Sequence, residues 1–119
     1  MEQYIKNITP FVQQILDLTK KREIQWTKSG EDTYRCIAEK ESVSLEISQF
    51  DNILVKGSVS IKLYSERECL FSYSRDLLQK FPEFDKLLEV LFAEVEKANV
   101  EKVTNKFSTL VNALTKNQK

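Results

Sequence analysis

A chain of 119 residues with 18 basic and 18 acidic side chains, two cysteines, two glycines and no histidine excludes much before any motif is read. Ser-His-Asp and Cys-His arrangements and every histidine-containing zinc site are ruled out, two cysteines cannot complete an all-cysteine zinc site, and Gly30 and Gly57 cannot make a P-loop or a G-x-G-x-x-G turn. At 13.9 kDa, surface scaling leaves about 6,700 Å² exposed out of about 20,000 Å² unfolded, which allows one core.

The hydrophobic fraction of 41% is that of a globular domain rather than a disordered segment. The N-terminus lacks a basic segment followed by an apolar run, and no stretch approaches 18 continuous apolar residues, so neither a signal peptide nor a membrane span is expected and the cytoplasm is the expected compartment. Cys36 and Cys69 sit in separate strand-like segments without C-x-x-C spacing, as two reduced, core-packed thiols would.

In chain order, Tyr4, Ile5, Ile8, Phe11, Val12, Ile15, Leu16 and Leu18 line one face of a helix. Pro10 leaves two versions open, a helix that starts there with Thr9 as N-cap or a longer one that kinks. Lys20, Lys21 and Arg22 then lie where cations complement a helix C-terminus. From Ile24 the period changes to two. Ile24 to Lys28, Thr33 to Ala38, Val43 to Ile47, Lys56 to Tyr64 and Cys69 to Tyr73 read as four or five strands, and connections as short as Glu39 to Ser42 and Ser65 to Glu68 require an antiparallel meander. Val43, Leu45, Ile47, Val59, Ile61 and Leu63 define a core face, with Ser44, Glu46, Ser58, Ser60 and Lys62 on the water face.

Helical spacing returns after Pro82 with Phe84, Leu87, Leu88, Leu91, Phe92 and Val95, and again with Val103, Phe107, Leu110, Val111 and Leu114. A single helix over both groups would run roughly 50 Å, longer than a domain of this size spans, so a break at Asn99 is expected. The expected fold is thus a single α+β domain over residues 1–119: an N-terminal helix, a four- or five-stranded antiparallel meander, and one or two C-terminal helices packed on one sheet face, with a frayed tail from Thr115 to Lys119.

Leu18-Thr19-Lys20 leading into Ile24-Gln25-Trp26-Thr27-Lys28, then Asp32-Thr33-Tyr34, Val59 to Tyr64 and Ala98-Asn99-Val100 resemble a loose group of small bacterial proteins with an N-terminal helix, an antiparallel meander and a C-terminal helical segment. The resemblance implies an architecture and supplies no catalytic residue. Where that group often has a glycine-containing hairpin turn, this chain has Glu66-Arg67-Glu68.

Three kinds of site are weighed. Glu31, Asp32, Asp76, Glu83 and Asp85 could furnish a carboxylate site, but no spacing converges them and helix-start acids already complement a dipole; no catalytic residue, metal or cofactor is expected. Lys20, Lys21, Arg22 and Lys28 around Trp26 would suit nucleic acid, against which stand the balanced charge and the neighbouring Glu23, Glu31 and Asp32. In the last hairpin, a turn over Ser65 to Glu68 would set Leu63 opposite Leu70 on the core side and leave Tyr64, Phe71 and Tyr73 on the other face as a protein-binding patch; one register slip would return Phe71 and Tyr73 to the core. The expectation is a non-enzymatic bacterial protein-binding module, an inhibitor, immunity-type or adaptor protein, with a homodimer through an edge strand as a further route and nucleic-acid binding as the alternative.

Overall fold

A computed structural model describes residues 1–51, 57–75 and 80–117. Helix α1 (Glu2–Lys20) is followed by strands β1 (Thr27–Gly30), β2 (Thr33–Ala38), β3 (Val43–Phe50), β4 (Ser58–Ser65) and β5 (Glu68–Tyr73), then helix α2 (Pro82–Asn117). The five strands form one antiparallel sheet in the order β1-β2-β3-β4-β5. The α+β meander expected from the periodicities is the fold.

Helix α1 begins at Glu2 and runs through Pro10, so the longer version holds. It turns Ile5, Val12, Leu16 and Thr19 into the core. Its end is a hydrogen-bonded reversal: the Arg22 N–H donates to the Thr19 carbonyl (3.0 Å) and the Glu23 N–H to the Leu18 carbonyl (2.9 Å), with Arg22 at φ 60° in the left-handed position that glycine usually fills.

Strand pairing follows the alternation. Leu45 faces Leu63 and Ile47 faces Ile61 on the core side; on the other, Glu46 lies between Arg35 and Lys62 and accepts from Arg35 at 3.0 Å. Ser58 and Ser60, expected on the water face, are buried. β4 is an interior strand, so a short serine side chain sits low between its neighbours, and the Ser48 and Ser60 hydroxyls hydrogen-bond across strands at 2.9 Å.

The last hairpin corrects the expected aromatic patch. Ser65 pairs with Glu68 and Tyr64 with Cys69, but the ladder then slips by one, so that Leu63 pairs with Phe71 and Ile61 with Tyr73. Leu70 is the extra residue of this bulge and stays exposed. The slip moves Phe71 and Tyr73 to the core face, where Phe71 meets the Tyr4 ring (5.9 Å) and Tyr73 meets Phe84 edge-on (4.9 Å). Only Tyr64 keeps the outer face, with the Arg35 guanidinium 5.7 Å from its ring. Cys69 is likewise exposed rather than core-packed, because the residue paired with Tyr64 points outward with it.

Helix α2 has no break at Asn99; its 36 residues are continuous. Between Pro82 and Asn117 there is no further proline or glycine to stop it, and an asparagine in mid-helix costs only a few tenths of a kcal/mol to about 0.7. Its first half packs on the sheet through Phe84, Leu88, Leu91, Phe92 and Val95, with Tyr34 edge-on to Phe92 at 5.8 Å. Tyr73 fixes the start of α2 to β5 by donating its hydroxyl to Asp85 at 2.6 Å.

Tyr73→Ala is therefore expected to lower unfolding stability by about 3 kcal/mol or more, and Tyr64→Ala by no more than about 1 kcal/mol. Urea unfolding of the two variants beside the parent checks the register, since the unslipped hairpin would leave both rings on the outer face and make both losses small.

Candidate functional site

The last buried residue of α2 is Val95; Ala98 and Asn99 are half-buried, and every residue from Val100 to Lys116 is exposed. The helix thus leaves the body at about Asn99 and carries a bare second half. On it Val100, Val103, Phe107, Leu110, Val111 and Leu114 stand 46–64% exposed. Five of these follow the spacing 3-4-3-4, the seam of a coiled coil, and Val111 widens it by one position. At 3.6 residues per turn this stripe lies about 110° round the helix from the stripe that packs on the sheet, so it is a separate face rather than an overhang of the core face. The polar side carries only Glu101, Lys102, Lys106 and Lys116 as charges among threonines, asparagines and serine.

The exit point is held by the residues that first suggested a nucleic-acid site. Trp26 is 4% exposed, and its indole N–H donates to the Thr19 hydroxyl at 3.0 Å inside the junction between α1 and the sheet. The ring cannot stack on a base from there. Arg22 does not face solvent as a free cation: its guanidinium donates to both oxygens of Glu101 (2.9 and 3.0 Å), to Glu94 at 3.4 Å, and back to the Thr19 carbonyl at 2.8 Å. Glu94 and Glu101, seven residues apart, share one face of α2, and this fork spans the last buried turn and the first bare one. The hydrogen bond to Glu101 raises the Arg22 pKa, and the same bond holds the Glu101 carboxyl below its ordinary range. Lys20 and Lys21 are exposed, and the Lys28 ammonium lies 6.0 Å from the Tyr34 ring centre.

Of the acids weighed, Asp85 is engaged by Tyr73 and lies 4.0 Å from Arg75, Glu31, Asp32 and Glu83 are not brought together, and Asp76 lies outside the described residues. Among the described residues no three cysteine, aspartate or glutamate side chains gather as a metal site. Tyr64, Phe71 and Tyr73 do not share a face, as the register requires. A second apolar surface does exist nearby, a groove of about 360 Å³ between α1 and the sheet where Tyr4, Phe11 and Leu70 line the opening and Phe71 and Leu63 lie deeper.

The strongest surface feature, the seam on the second half of α2, is visible in the sequence as a helical face but reads there as core for a separate helix. The signal that separates the two is the turn of the stripe about the axis between Val95 and Val100. Comparison with protein-family models, curated proteins and solved structures finds no match to the chain.

Two measurements check this geometry. Because the folded pKa of Glu101 lies below its unfolded value, its contribution is present above the ordinary carboxylate range and is lost as pH falls through the lowered value. Far-UV circular dichroism of the parent and Glu101→Gln should therefore differ at pH 7 and converge as pH falls below about 4. Burial pushes the Cys36 thiol up to about 11. A thiol reagent at pH 8 should react rapidly at Cys69 and slowly at Cys36, and Cys69→Ser should remove the fast phase.

Proposed function

We propose that the protein is a non-enzymatic binding module of the inhibitor, immunity-type or adaptor kind, acting in the cytoplasm, and that the second half of α2 is the element that docks on a protein partner. One observation carries the reading: a helical segment presents six large apolar side chains on one face, five of them in 3-4-3-4 register, and each is about half exposed or more.

Such a segment does not sustain itself. It continues a helix already nucleated by its packed first half, but Val100, Val103, Thr104, Asn105, Thr109, Val111, Asn112 and Thr115 are all weak helix formers that propagate it poorly. Helical stability in such a sequence comes from packing its apolar face against something else. A protein surface is favoured over a lipid surface because an interfacial helix is typically rich in lysine and arginine along its polar side, whereas this one is mostly neutral. No helix among the described residues is long and apolar enough to cross a membrane. The exposed thiol of Cys69 accords with a reducing compartment. Nucleic-acid binding through Lys20, Lys21, Arg22, Trp26 and Lys28 is disfavoured by the burial of Trp26 and the pairing of Arg22 with Glu101.

The test is capture from the lysate of the source organism with the tagged chain and with a Phe107→Asp/Leu110→Asp variant, both nuclease-treated. Since both positions are exposed, the body's stability should change by no more than about 0.5 kcal/mol. A stoichiometric protein retained by the parent and lost by the variant is the expected result. Recovery by the parent from untreated lysate that vanishes when the capture is repeated with nuclease would instead support the basic cluster.

A further inference from the structure

We propose that the partner seated on the α2 seam is a second copy of this chain, the two bare halves pairing side by side and in parallel as a two-stranded coiled coil. The inference rests on the docking role proposed above and names its occupant.

Surface area is the first argument. The chain exposes 8,841 Å², whereas a compact monomer of this mass exposes about 6,700 Å². The radius of gyration is 17.0 Å, against about 13.5 Å for a compact chain of this length. The excess of roughly 2,200 Å² comfortably exceeds the about 800 Å² per partner of a standard interface. Pairing of the projecting halves on the scale of a standard interface, about 800 Å² per partner, lies well within that excess.

Spacing is the second. Val100, Val103, Phe107, Leu110 and Leu114 keep the 3-4-3-4 seam that two like helices share, and Val111 extends it onto one flank. Because the seam points about 110° away from the face that packs on the sheet, a second helix can lie on it clear of the chain's own body.

Charge is the third. With Val100, Phe107 and Leu114 at one seam position and Val103 and Leu110 at the other, the flanking residues are Asn99, Thr104, Lys106, Val111 and Ala113. Flanks that select a foreign helix carry complementary charges; these carry one lysine. In the parallel arrangement Lys106 lies beside the partner's Val111, and Asn99 beside the partner's Thr104, so no like charges meet.

The full chain is tested by sedimentation equilibrium and circular dichroism over about two decades of concentration. The mass should rise from 13.9 kDa towards twice that value, with helicity rising in step as the second half of α2 is held by its partner. Leu110→Glu should remain at the monomer mass with lower helicity while Trp26 emission, a report on the body, is unchanged. For the orientation, Leu110→Cys in a Cys69→Ser background should oxidise to a disulfide-linked dimer.

A monomer at every concentration overturns self-pairing, and if that monomer still captures a foreign protein through Phe107 and Leu110 the docking role stands without it. A monomer that sediments with anionic phosphatidylserine vesicles also overturns it. Doubling of mass that survives Leu110→Glu assigns the dimer to another surface and overturns the seam. Seam-dependent doubling without the disulfide overturns the parallel arrangement.

Discussion

The structure is governed by a mismatch of lengths. At 1.5 Å per residue, the 36 residues of α2 form a rod of about 54 Å, while a compact domain of 119 residues has a radius of gyration of about 13.5 Å. A straight helix of that length cannot be covered by the sheet and helix it packs on. One half supplies the core with Phe84, Leu88, Leu91, Phe92 and Val95, and the other is left bare. The 63 Å long dimension of the molecule follows from that division.

Where the division falls is set by the junction at the end of α1. Thr19 donates to the Ile15 carbonyl and accepts from the Trp26 indole, which closes the core at that corner. Arg22, in the left-handed position that ends α1, has its backbone committed to the reversal and its guanidinium committed to Glu94 and Glu101. A glycine would adopt that backbone with less strain but could not reach α2. One residue therefore links the end of the first helix to the exit of the last, and a charged residue in a glycine position is explained by the second task.

The elements were legible because their periodicities differ: 3.6 for Ile5, Val12 and Leu16, two for Val43 to Ile47 and Val59 to Leu63, then 3.6 again from Phe84. What was not legible depended on differences too small for local patterns to decide. Leu63-Tyr64 and Leu70-Phe71 each offer an apolar residue to either face, and ring partners far away in sequence, Tyr4 and Phe84, accompany the bulge that buries Tyr73 and half-buries Phe71. Trp26 among lysines has the same local pattern whether it stacks on a ligand or packs on Thr19. At Asn99 the size of an ordinary domain argued for a break, but that argument assumes every helical residue must be buried by its own chain. The candidate seam was present in the sequence and hidden by that assumption.

The energetics of the seam show why such an assumption is natural and why it fails. Fully burying a valine, leucine or phenylalanine side chain is worth about 1.5–3 kcal/mol. Six such residues left about half exposed withhold several kcal/mol, comparable with the about 5–15 kcal/mol net stability of a whole domain. Folding of the single chain gains little from them, and the β-branched and amide residues around them weaken the helix that displays them. On the docking role proposed above, a stripe that contributes so little to its own fold, yet keeps coiled-coil spacing over five positions, would gain its stabilisation when two surfaces meet.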